Sequence, residues 1–138
     1  MLRAALRQAL ILLAIALLPA MVSGAIQLKW HHEEPLAPDE VRAATAAEWG
    51  TDVIFVDARP KTRFDAGHID GAILLNNEDW ETLSPKFLDV WDPDKKTVVY
   101  CDGGSCDASR EVAERLKREF QIKNVYVLKG GWPAWQSR

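Results

Sequence analysis

Residues 98–109 read "VVYCDGGSCDAS". Three apolar residues, Val98-Val99-Tyr100, run into Cys101. Gly103-Gly104 follow, then Cys106, then a helix start at Ala108-Ser109. A strand, a tight loop and a helix thus follow one another without a break. Both of the chain's cysteines fall in that loop. A metal site, a disulfide and a reactive thiol all remain open from this stretch alone.

The alternation continues outward. "TVVYC" (97–101) lacks a polar face, as does "DVIFVDAR" (52–59) between Val53 and Val56. Apolar runs without alternation suit strands covered on both faces, the habit of parallel sheets. "AILL" (72–75) and "NVYVL" (124–128) predict two more short strands. "ASREVAERLKREF" (108–120) predicts an amphipathic helix, with Val112, Leu116 and Phe120 on one stripe. "APDEVRAATAAEW" (37–49) predicts another, with Pro38 in its first turn, Asp39 and Glu40 favouring its dipole, and Gly50 closing it. "PKTRFDAGHIDG" (60–71) reads as a short helix and a turn. "EDWETLSPKFLDVW" (78–91) reads as mostly helical, interrupted at Ser84-Pro85. "DPDKK" (92–96) is a polar turn, and "KGGWPAWQ" (129–136) a glycine turn with an aromatic cap in Trp132 and Trp135. Strands alternating with helices give an α/β fold: a parallel sheet flanked by helices on both faces. In such sheets the ligand site lies beyond the carboxyl ends of the strands, where Cys101 stands.

The chain has 138 residues, enough for one core, with 48% hydrophobic and 27% charged residues. Its formal net charge of -3 argues against non-specific nucleic-acid binding. The first segment differs in kind. Arg3 and Arg7 precede an apolar run from Ala9 to Leu18, Pro19 breaks it, and small residues follow to Ala25. This is the layout of a secretory signal peptide over residues 1–25, with Ser23-Gly24-Ala25 at the cleavage site. The rival reading is an uncleaved membrane anchor, since Leu10 to Ile26 reaches the short edge of a bilayer span. Either way the expectation is a domain outside the cytoplasm, periplasmic or secreted, with or without a membrane tether. Residues 26–36, "IQLKWHHEEPL", read as a linker, and residues 37–138 as the folded domain. Neighbouring His31 and His32 point to opposite sides of an extended chain, so a solvated pair is expected and not a metal site.

A loop between strand and helix turns several backbone N–H groups toward one point. Gly103 and Gly104 supply the dihedrals. Such a nest, aided by the helix dipole, attracts an anion and lowers the pKa of an enclosed thiol. Cys101 is therefore a candidate nucleophile.

"VIFVDARPKTRFDAGHIDGAILL" resembles the N-terminal signature of rhodanese domains. "VVYC", the following glycine and serine, and "VAERL" resemble their active-site loop and helix. "NVYVLKGGWPAW" resembles their C-terminal signature. The resemblance covers about residues 38 to 137. It implies a five-stranded parallel sheet with flanking helices and a sulfurtransferase reaction without a cofactor. In that reaction a cysteine thiolate takes sulfane sulfur from a donor anion such as thiosulfate, forms a persulfide, and passes the sulfur to a thiol acceptor. The catalytic cysteine of the family falls on Cys101, its loop glycine on Gly104 and its helix-start serine on Ser109. Asp102, Gly103, Gly104, Ser105, Cys106 and Arg110 are the expected substrate-binding positions. Asp57, Arg59 and Ser109 are the expected supports.

Aligning on Ala113 and Leu116 leaves a loop somewhat longer than the family's, with Ala108 where a basic residue often stands. Arg110 is the nearby cation, while Asp102 and Asp107 oppose thiolate formation. A phosphatase of related fold would want an arginine at position 107, which is Asp107, so phosphatase chemistry is not expected. Cys106 is open between a resolving thiol, a disulfide partner and a residue without chemistry. Two thiols lack the further ligands that zinc needs, so no metal is expected. His68 reads as a structural hydrogen-bonding residue. Two function classes follow: a sulfurtransferase, and a non-catalytic or redox- and sulfur-sensing module acting through Cys101 and Cys106.

Overall fold

A computed structural model describes residues 35–104 and 107–138. The expected signal or anchor, the linker with His31 and His32, and loop residues Ser105 and Cys106 lie outside the described residues. Five strands form one parallel sheet: β1 (Glu40–Val41), β2 (Val53–Asp57), β3 (Ile73–Leu74), β4 (Lys96–Tyr100) and β5 (Val125–Leu128), in the order β1-β5-β4-β2-β3. The helices are α1 (Ala43–Glu48), α2 (Lys61–Ala66), α3 (Trp80–Leu88), α4 (Asp107–Phe120) and α5 (Gly131–Gln136). This is the α/β architecture expected from the sequence.

The unbroken apolar runs have a direct cause. In β4, Val99 faces one side of the sheet while Val98 and Tyr100 face the other, and all are fully buried. In β2, Val56 and Phe55 divide in the same way. On the first face, Trp80 and Phe87 of α3 and Val112, Ala113 and Leu116 of α4 cover the strands. On the second, Ala43 and Ala46 of α1 join Trp132 and Trp135 of α5, with Trp135 edge-on to Phe55 at 4.7 Å. The central strands β2 and β4 therefore bury both faces, and alternation has nothing to report in them.

Three local expectations are corrected. The helix expected over 37–49 begins only at Ala43, because Asp39 to Val41 are drawn into the sheet. Val127 N–H bonds Asp39 O at 2.8 Å, and Lys129 N–H bonds Val41 O at 2.9 Å. The open edge of β5 needs those partners, and that need overrides local helix preference. At Ser84-Pro85 the helix α3 runs straight through. Trp80, Ser84 and Phe87 are buried on the core side, and that packing outweighs the one backbone bond the proline removes. The turn at 129–136 instead opens α5 immediately after Gly130, which sits in the left-handed region at φ 73°.

Among the described residues no helix is long and apolar enough to cross a membrane.

Candidate functional site

Because all strands run parallel, the ends of β2, β4 and β5 deliver Asp57-Ala58-Arg59, Cys101 and Lys129-Gly130 to one edge of the sheet. Cys101 is 3% exposed and disulfide-bonded. The chain's other cysteine, Cys106, lies outside the described residues. Ser109, buried at the start of α4, donates its hydroxyl to Cys101 Sγ at 3.4 Å. Trp132 N–H donates to Cys101 O at 2.7 Å, which ties the loop to α5.

The glycines explain how the loop seats. A Cβ on Gly131 would overlap the Cys101 carbonyl oxygen and lie 2.7 Å from Gly103 N. A Cβ on Gly103, whose φ is 98°, would lie 2.9 Å from Gly130 O. Two backbone turns, one after β4 and one after β5, thus touch without side chains between them. The glycine pair in "KGGW" is required by this approach, a role that its reading as a simple turn missed.

A pocket of about 260 Å³ opens beside Cys101. Gly103, Gly104 and Ser109 line it, as do the charged residues Glu40, Asp107, Arg110 and Lys129. Arg110 does not aim its charge at the sulfur. Its Nη2 donates to Glu40 Oε1 at 3.1 Å, and its Nη1 lies 3.7 Å from Asp39 Oδ1. Lys129 Nζ lies 3.6 Å from Glu40 Oε2. The Ala37 N–H donates to the Glu40 carboxylate at 3.0 Å and is the chief cause holding its pKa below the usual range. Burial opposes this, and Lys129 and Arg110 add to it. Neither Glu40 nor Lys129 stood out in the sequence, because the sheet brings them together from its two most distant segments.

Asp102 turns away from this pocket. Its carboxylate lies 3.4 Å from Arg59 Nη1 and 3.9 Å from Arg63 Nε, lining a smaller neighbouring cleft with Trp132. Asp102, expected among the substrate-binding positions, is thus placed as a loop anchor. Arg59 is 3% exposed and grips Asp57 with Nε at 2.9 Å and Nη2 at 2.6 Å. Nη2 also donates to Gly67 O at 2.7 Å, and the guanidinium lies 5.1 Å from the Trp132 ring centroid. Burial would draw its pKa down, but the Asp57 bonds and charge outweigh that and hold it above its ordinary value. Asp57 and Arg59, expected as supports, pair with each other, and Arg59 also reaches the loop through Asp102. Next to them Tyr100 is fully buried and accepts from Ile69 N–H at 3.1 Å. Burial is the chief cause pushing its phenol far above its ordinary range.

His68 stacks on Phe64 at 3.8 Å and bonds its carbonyl through Nδ1 at 2.9 Å, away from Cys101's pocket. Among the described residues no cluster of three or more His, Cys, Asp or Glu side chains is placed to hold a metal ion.

Known proteins share this framework. The chain is 39% identical over 83 residues to the thiosulfate sulfurtransferase GlpE of Shewanella oneidensis, covering 60% of this chain and 75% of that one. It is 36% identical over 81 residues to the tRNA uridine(34) hydroxylase of Sodalis glossinidius, covering 56% of this chain. The match spans 22% of that hydroxylase's length. A crystal structure of a Bacillus halodurans protein superposes with a TM-score of 0.60 at 19% identity, covering 86% of this chain and 81% of that one. This last likeness concerns the fold alone. The family model described as "Rhodanese-like domain" matches residues 37–138, and the chain belongs to that family.

Proposed function

We propose that the domain is a sulfurtransferase working through a persulfide on Cys101. The observation that carries the reading is the place of Cys101: at the carboxyl end of the central strand, walling a pocket, with the Ser109 hydroxyl 3.4 Å from its sulfur. The likeness to thiosulfate sulfurtransferases supports it. The cycle starts from the reduced protein, so two thiol equivalents must first reduce the disulfide on Cys101, leaving joined to each other as one disulfide. The Cys101 thiolate then attacks the outer sulfur of thiosulfate. The S–S bond to the sulfonate breaks, sulfite departs, and Cys101 carries a persulfide. An acceptor thiolate attacks the terminal sulfur, takes it as its own persulfide, and returns the Cys101 thiolate. Gly103 and Gly104 line the pocket with backbone alone, and Ser109 donates a hydrogen bond that favours the anionic sulfur.

Reduced protein treated with thiosulfate should gain the mass of one sulfur atom on the Cys101 peptide, and Cys101→Ser should lose all transfer. Full transfer by that variant would remove the chemistry from this residue.

The disulfide on Cys101 favours a second reading, a redox- or sulfur-sensing module. A reduced protein that accepts no sulfur, yet whose Cys101 switches reversibly with the thiol–disulfide ratio, would support that role over transfer.

The same chemistry suits an oxidising compartment, and Arg3, Arg7 and the apolar run to Leu18 support export by residues 1–25, with or without a membrane tether. A reporter active only outside the cytoplasm, fused after Arg138, should be active. An abundant but silent fusion would overturn export.

A further inference from the structure

We propose that Glu40 sets the donor specificity of the Cys101 pocket, making it selective for sulfur donors of low charge over a dianion; this rests on the transfer reading above. Among the described residues, four charged side chains line the pocket, Glu40, Asp107, Arg110 and Lys129, and their charges cancel. Glu40 occupies both cations at once, with Arg110 Nη2 at 3.1 Å on one oxygen and Lys129 Nζ at 3.6 Å on the other. The carboxylate is 10% exposed and is fixed from behind by the Ala37 N–H at 3.0 Å. Arg110 is engaged on its far side by Asp39, whose other oxygen takes Lys117 at 3.2 Å. A donor entering this pocket meets the loop's backbone groups and a neutral wall. Among the described residues no unneutralised cation waits there for a second negative charge.

Thiosulfate carries two negative charges, whereas methanethiosulfonate carries one and offers the same transferable sulfur. Cys101 thiolate attacks either outer sulfur; the S–S bond breaks, and sulfite or methanesulfinate leaves with the bonding pair. Only the charge of the donor differs at the step that matters. Coulomb energy scales with the product of charges. Removing one negative charge from the pocket therefore helps a dianion twice as much, in logarithm, as a monoanion.

The experiment compares kcat/KM of the full-length, thiol-reduced protein and its Glu40→Gln variant for the two donors. The amide keeps an acceptor for the Ala37 N–H. The expected result is a gain for thiosulfate equal to the square of the gain for methanethiosulfonate: about threefold for the monoanion implies about ninefold for the dianion. Both gains should shrink as salt shortens the Debye length. Asp39→Asn, which loosens Arg110 without touching the pocket floor, should move the same ratio in the same direction by less. Equal factors for both donors, or no change in Glu40→Gln, would overturn the proposal. A wild-type protein that takes sulfur from neither donor would sink the transfer reading instead. The charge argument then stands or falls on binding of sulfate against methanesulfonate to the same two proteins, where the same squared ratio is expected.

Discussion

Two arginines flank the cysteine loop, and the protein uses them in opposite ways. Arg59 is 3% exposed, paired with a carboxylate that is fully buried, and bonded as well to Gly67 O and Asp102. Arg110 is 43% exposed; its partner Glu40 lines the pocket beside Cys101, and Asp39 engages its other nitrogen. The same guanidinium–carboxylate chemistry thus makes a fixture on one side and an adjustable field on the other. Burial decides which. Water screens a half-exposed pair to roughly 0–1 kcal/mol, whereas a buried charge stripped of its partner costs several times that.

The largest effect should come from breaking the fixture. Arg59→Met leaves the Asp57 carboxylate buried without its partner, and also strips Gly67 O and Asp102 of a donor. The expected loss is about 3–5 kcal/mol of folding stability, read by urea denaturation with the disulfide intact. A loss under about 1 kcal/mol would make Arg59 equivalent to a surface pair. One step smaller is Tyr100→Phe, which deprives Ile69 N–H of its acceptor beneath Arg59. That buried orphan should cost roughly 1–3 kcal/mol, while transfer by Cys101 persists. Smaller still is Arg110→Met. It should change stability by less than about 1 kcal/mol while weakening the pocket's hold on anionic donors. A stability loss as large as that of Arg59→Met would erase the distinction between the two sides.

The contrast also marks what the sequence could reveal. Cys101, Gly103, Gly104 and Ser109 were legible because strand, loop and helix follow one another there, so neighbours in sequence are neighbours in the site. The strands β2, β4 and β5 were legible because helices on both faces leave unbroken apolar runs in them, Val53 to Val56, Val98 to Tyr100 and Val125 to Leu128. The first strand was not. Residues 39–41 carry helix-start chemistry, and only the distant β5 edge makes them a strand. The charge on the pocket was hidden for the same reason, since Glu40 and Arg110 meet through the sheet order and not through spacing. Asp102 and Asp107 looked alike as loop acids. The structure separates them, giving Asp102 to the Arg59 side and Asp107 to the pocket. Gly131 was visible as a turn residue, but the need for its bare Cα comes from the Cys101 carbonyl pressed against it.

The smallest effect is a dependence on pH that separates the two sides by sign and window. The Arg59 guanidinium has a raised pKa, so its contribution is complete below its unfolded value and is lost only at strongly alkaline pH. Glu40 has a lowered pKa, held down first by the Ala37 N–H and then by Lys129 and Arg110 against the pull of burial. Its contribution is complete above the unfolded value near 4.5 and is lost as pH falls through the lower folded value. The stability of the wild-type protein should therefore exceed that of Glu40→Gln at neutral pH, and the gap should narrow only below about pH 4.5. Added salt should narrow it at neutral pH too, because Arg110 and Lys129 are partly exposed. Denaturation midpoints of the two proteins, taken from pH 7 down to pH 3 at two salt concentrations, read this directly. A gap that stays constant through the acid range would mean that Glu40 acts through its shape and its bond to Ala37 alone. Its charge would then have no part in the pocket, and the two arginines would differ in burial but not in purpose.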